Sequence, residues 1–193
     1  MSANVWFEEI NTSLVREIKN YVKITNDLGE VITIDNVVIR KPEEDFKITS
    51  FPCVSIYNLS YNHSPVRYNP NLIVLGKNDV KKTVEVEESA ISFNLDYQID
   101  FWSYYQTDMD RMTRTWLSKH FRQFNLDVLD DGGNKRNCNC ITKGKIVKSD
   151  LLLNEKRLYH SIIKLEIWVE IDDEIRYDVP MVVTRDINTH QGG

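Results

Sequence analysis

Residues 91–124 read ISFNLDYQIDFWSYYQTDMDRMTRTWLSKHFRQF, and this stretch sets the fold class. Ile91, Phe93, Leu95, Tyr97, Ile99 and Phe101 alternate with Ser92, Asn94, Asp96, Gln98 and Asp100. Successive strand side chains point to opposite sides, so this is a long strand with one face in a core. The period then changes. Met109, Met112, Trp116, Leu117, His120, Phe121 and Phe124 recur three or four apart, which predicts a helix over 108–124. Thr107 followed by Asp110 fits a capping pair at its start, where acids favour the positive end of the helix dipole.

The N-terminal segment repeats the helical spacing. Val5, Phe7 or Glu8, Ile10, Leu14, Ile18 and Tyr21 or Val22 recur three or four apart, predicting a helix over 4–22. Between the helices lie β-branched segments. VITI and VVIR suggest a hairpin near 31–40, and CVSIYNLSY, after Pro52, suggests a strand over 53–61. Residues 62–90, with Pro65, Pro70, LIVLG and a charged run, read as an extended arm or hairpin leaving the body. Asp130–Asn134 is a connection, CNCITKGKIVKS a strand, and Ile163–Ile171 with Ile175–Val183 an antiparallel hairpin around Asp172–Glu174. Residues 186–193 read as a flexible tail on a single domain over 1–185. Two helices and several strands without βαβ alternation predict an α+β fold, helices on one side of a mainly antiparallel sheet.

Composition narrows the function. The 193 residues are 41% hydrophobic and 27% charged, as in ordinary folded chains. The 24 basic residues are dispersed among 29 acidic ones, net -5, which argues against a dedicated nucleic-acid binder. No apolar run approaches the roughly 18–20 residues of a membrane span and the N-terminus lacks signal-peptide features, so assembly in the cytoplasm is expected. The three cysteines, Cys53, Cys138 and Cys140, are expected to be reduced.

The search for chemistry finds no catalytic set. Asp96 and Asp100 share a strand face about 13 Å apart and are expected to be solvated. Cys138 and Cys140 are read as alternating across a strand, with thiols pointing apart and no CxxC partner; a metal site would have to recruit distant histidines such as His63 or His160, and none is expected. His120, on the apolar helix face, is expected to be a hydrogen-bonded packing residue rather than a base. LGKN and KGKIVK lack phosphate-loop spacing, and no cofactor is expected. Lys143, Lys145 and Lys148 are a solvated strand end, with weak contact to passing DNA as the alternative. Trp102 and Trp168 fall out of phase with their apolar strand faces. They either tuck under a loop or helix, or form a protein contact surface.

FPCVSIYNLS, LDYQIDFWSYY and DMDRMTRTWLSKHF, taken in order, resemble the tail terminator (tail completion) proteins of long-tailed bacteriophages. The resemblance covers about two thirds of the chain and rests on hydrophobic signatures. It implies a virion structural protein, not an enzyme. Its copies would form a ring, typically a hexamer, that docks on the last ring of tail-tube protein, stops tube growth and presents a surface to the neck. DNA would pass through the hole. Residues 62–90 and the closing strands depart from small members of that family and leave a related head–tail connector or baseplate role open. A small metal-dependent nuclease is the competing class. On the ring reading, the arm contacts a neighbour through Tyr68, Leu72, Ile73, Val74 and Leu75. The alternative is an arm folded back on its own sheet.

Overall fold

The structure is a computed structural model and describes residues 7–25, 29–40, 50–64, 72–78, 80–81, 83–88, 90–129, 133–153, 156–171 and 176–180. Expectations for Tyr68, residues 4–6 and the tail lie outside these. So do the side chains of Leu72, Ile73, Leu75 and Lys145. In chain order the elements are α1 (Phe7–Tyr21), β1 (Lys23–Thr25), β2 (Val31–Thr33), β3 (Val37–Arg40), β4 (Cys53–His63), β5 (Leu72–Asn78), β6 (Thr83–Glu88) and β7 (Ile91–Ser103). There follow α2 (Gln106–His120), β8 (Gln123–Leu129), β9 (Lys135–Leu153), β10 (Lys156–Ile171) and β11 (Arg176–Pro180).

The fold is α+β, as the periodicities predict. A six-stranded sheet runs β3-β4-β7-β10-β9-β8, antiparallel except where β3 pairs β4 in parallel. Its apolar face collects Leu95, Tyr97, Ile99 and Phe101 of β7 with Ile163, Leu165, Ile167 and Val169 of β10. Ile10, Leu14 and Ile18 of α1 and Met109, Met112 and Trp116 of α2 close over it. The strand alternation and the two helical stripes are therefore the two halves of one core.

The hairpin expected near 31–40 does not form. β2 turns back on β1, and β3 runs parallel to β4. Asn36 separates the two: its Nδ2 donates to Ser50 O at 2.7 Å, and Val54 N donates to Asn36 O at 3.0 Å. The C-terminal hairpin is likewise corrected. Both edges of β10 are occupied, by β7 and β9, so β11 pairs with β6 instead. The result is a three-stranded sheet, β11-β6-β5. Its lateral order repeats that of the central strands that feed it: β4 leads to β5, β6 to β7 and β10 to β11.

The second helix ends earlier than its stripe suggests. Phe121 has an extended backbone and Arg122 sits at φ 73°, in the left-handed region that stops a helix. Thr142 of β9 takes up the freed carbonyls. Its Oγ1 donates to His120 O at 2.6 Å and its N to Arg122 O at 2.7 Å. Phe124 then belongs to β8, an edge strand whose Leu126 and Val128 enter the core. At the other end the N-cap is Tyr105, with no side-chain cap, and Thr107 lies inside the helix.

Candidate functional site

The second face of the six-stranded sheet carries the polar half of β7, and it divides into two regions. Along its middle, Lys143 of β9 reaches across β10 to Asp96 of β7 at 3.1 Å and also pairs with Glu166. Ser60 Oγ donates to Asp96 Oδ2 at 2.9 Å, and Trp168 Nε1 donates to Glu166 Oε1 at 2.5 Å. The Glu166 carboxylate raises the Lys143 ammonium above its ordinary pKa. Burial alone would raise the Glu166 carboxyl, but hydrogen bonds from Lys143 and Trp168 outweigh it and hold the carboxyl low. Such half-exposed pairs fix geometry more than they stabilise.

Nearer the Ser103 end the same face closes into a buried polar cluster. Asp100 is fully buried, which corrects the solvated acid expected from alternation. Gln98 Nε2 donates to its Oδ1 at 2.8 Å and Ser55 Oγ to its Oδ2 at 3.4 Å. His160 Nε2 lies 3.3 Å from Oδ1, at ion-pair distance, without hydrogen-bond alignment. Trp102 stacks on the His160 ring at 3.7 Å and donates Nε1 to Ser55 Oγ at 3.2 Å. Cross-strand pairing of Cys53, Trp102 and His160 on adjacent strands builds this stack. Cys53 and Leu158 pack beside it, with Phe51 and Tyr104 at the margin.

The sequence-derived candidates therefore separate. Trp102 keeps only 7% of its surface exposed and is tied into the cluster, whereas Trp168 is half-buried on the open part of the face. Val74 is exposed on β5. Lys148 pairs with Asp110 of α2 at 2.5 Å, so two of the three lysines have acidic partners. His120 is buried, as its place in the stripe predicts. Its Nδ1 hydrogen-bonds Trp116 O at 3.1 Å and its Nε2 hydrogen-bonds Glu17 Oε1 at 3.0 Å, tying α2 to α1. Sequence reasoning weighed His160 only as a distant metal ligand and missed its place beside Asp100, which follows from its register opposite Trp102.

The cysteine reading needs correction. Residues two apart on a strand share a face, so Cys138 and Cys140 both enter the helix-covered core. Among the described residues no group of three or more acids, histidines or cysteines could hold a metal. Burial pushes the Cys53 thiol up to about 12 and Cys138 to about 11, with Cys140 moved in the same direction. The thiolate is the reactive form, so all three should resist a maleimide at about pH 8 in the folded chain and react in urea. Mass spectrometry checks this; native labelling of any of the three would contradict their burial. No helix of the described residues is long and apolar enough to cross a membrane.

No protein-family model matches the chain, and no curated protein does. Among solved structures, the chain is similar to the sheath/tube terminator of an extracellular contractile injection system, PVC, in its extended state. The TM-score is 0.51 and the identity 13%, over 100% of this chain and 66% of that one, so this chain spans just under two thirds of the terminator's length. At that identity the likeness concerns the fold alone.

Proposed function

We propose that this chain is a structural, non-enzymatic tail terminator of a phage or phage-like tail. Copies form a ring, hexameric in the family the sequence resembles, that seats on the end of the tail tube and stops its growth. The neck-facing side docks the connector, and the protein resides in the virion tail after assembly in the host cytoplasm. The observation that carries this reading is the match of the whole chain to a sheath/tube terminator.

The site geometry is compatible with it. The open part of the second sheet face is polar, with the Lys143 ammonium held between the Asp96 and Glu166 carboxylates. Lysines held by acids suit a surface past which DNA slides without sequence-specific binding. Trp168 and the β5–β6 hairpin, with Tyr68, Leu72, Ile73, Val74 and Leu75, are the candidate contacts with a neighbour or with tube protein. Trp102, being buried, has little surface to offer. The hairpin is read as an arm projecting from a single domain. Deleting residues 66–86 would also remove the partner strand of β11.

Purified chain mixed with polymerising tube protein should cap tube ends and fix tube length, with the cap visible as a ring by negative-stain microscopy. Tubes that lengthen unchanged in an excess of the chain would reject the terminator reading. Binding to a purified neck complex with no effect on tubes would move the protein to a connector role.

A further inference from the structure

Two apolar patches lie at opposite corners of the six-stranded sheet, and neither belongs to the core. One surrounds Tyr61 of β4, 65% exposed, whose ring lies 5.9 Å from that of Phe7 at the start of α1; exposed Leu59 lies two residues earlier on β4. The other lies at the β9–β10 hairpin end. There Leu152 is 80% exposed and Leu151 is exposed beside it. Tyr105, 69% exposed, lines a cleft of about 290 Å³ at the same end with Ile32 and Pro52. Lys156 links the hairpin to this end, its Nζ 5.8 Å from the Tyr104 ring.

The two corners are far apart. Tyr61 pairs with Leu95 and Tyr159 with Ser103, and that length of β7 spans about 26 Å at roughly 3.3 Å per residue. The hairpin part of the second corner also sits across the sheet, on β9–β10, with β7 between β4 and β10. Their charges are of opposite sense. Glu8 and Glu9 occupy the first turn of α1 beside Phe7. Lys156 and Arg157 flank Leu152 across the hairpin, Arg157 bonded to Asp150 at 3.1 Å.

We infer that the Tyr61 corner of one copy docks on the Leu152–Tyr105 corner of the next. This rests on the assembly reading and supplies its contact surface. Two different patches that fit each other make a head-to-tail interface, which closes into a ring when the rotation permits, whereas identical patches would make an isolated dimer. Exposed aromatic and leucine clusters of this kind are what a subunit contact buries. The acidic first turn of α1 then faces Lys156, which selects the pairing direction.

The test uses full-length chain carrying Tyr61→Asp or Leu152→Asp, with near-UV circular dichroism confirming the fold. Each variant alone should associate at least about tenfold more weakly than the parent chain in sedimentation velocity. An equimolar mixture should recover one-to-one dimers and nothing larger, because each variant keeps the corner the other lacks. Glu8→Lys and Lys156→Glu should each associate more weakly alone, and their equimolar mixture should restore assemblies of parent size with the two variants alternating, because every contact then pairs opposite charges; they stand in if an aspartate variant unfolds. Variants that assemble like the parent, or a mixture no better than its components, would place the contact elsewhere and leave the assembly reading standing. A parent chain that stays monomeric at its highest soluble concentration would overturn both.

Discussion

Replacing Trp116 by alanine is expected to lower the unfolding free energy by about 3–5 kcal/mol, the range for emptying a large buried aromatic site. Trp116 is fully buried on α2. Its ring stacks on His120 at 3.9 Å and meets Phe124 of β8 edge-on at 5.9 Å. The substitution therefore opens a hole where α2 and β8 meet, and it removes the surface against which His120 holds Glu17 of α1. For a chain of this size the melting temperature should fall by roughly 10 °C at fixed protein concentration. Trp116→Phe should cost much less, because the indole N–H has no acceptor in the described structure and nothing polar is lost with it. Equal losses from the two substitutions would show that the ring volume is not what α2 contributes.

Asp100→Ala should be nearly as damaging, by about 3 kcal/mol, although it removes only a small side chain. The carboxylate accepts from Gln98 and Ser55 and lies beside the His160 imidazole in a fully buried setting. Taking it away leaves those groups in place with their acceptor gone, and an unsatisfied buried polar group bears its desolvation cost in full. Asp100→Asn keeps one acceptor oxygen and should lose only about 1 kcal/mol. The stacked Trp102–His160 pair gives a second readout, since near-UV circular dichroism should change in Asp100→Ala before global unfolding. Urea titration decides between the cases. An Asp100→Ala variant as stable as the parent would mean that the cluster packs by shape and that its hydrogen bonds are incidental.

Neither residue was equally visible in the sequence. Trp116 sits on a stripe with Met109 and Met112, so its burial follows from helical spacing alone. Asp100 sits on the polar side of a two-faced strand, and that spacing predicts solvent. What receives it is the cross-strand arrival of Ser55 opposite Asp100 and of His160 opposite Trp102, from segments about forty-five and sixty residues away. The same distinction runs through the edges of the fold. Phe124 continues the apolar stripe of α2 and belongs to β8, because Arg122 and Thr142 end the helix by contacts the spacing does not contain. Cys138 and Cys140 needed no tertiary information; the two-residue period of a strand places both on one side.

By itself, the sequence determined the α+β class, the long amphipathic β7, the two helices and the side each presents to the core. These follow from period and composition, which are local properties of the chain. Which strand pairs with which was decided by the tertiary structure. β2 and β3 part company at Asn36, β10 has no free edge for β11, and β11 therefore completes a sheet with β6 and β5. Backbone hydrogen-bonding groups look alike along every strand. The partner is chosen by which edges remain open once the central strands have packed, and that is settled only when the whole sheet is assembled.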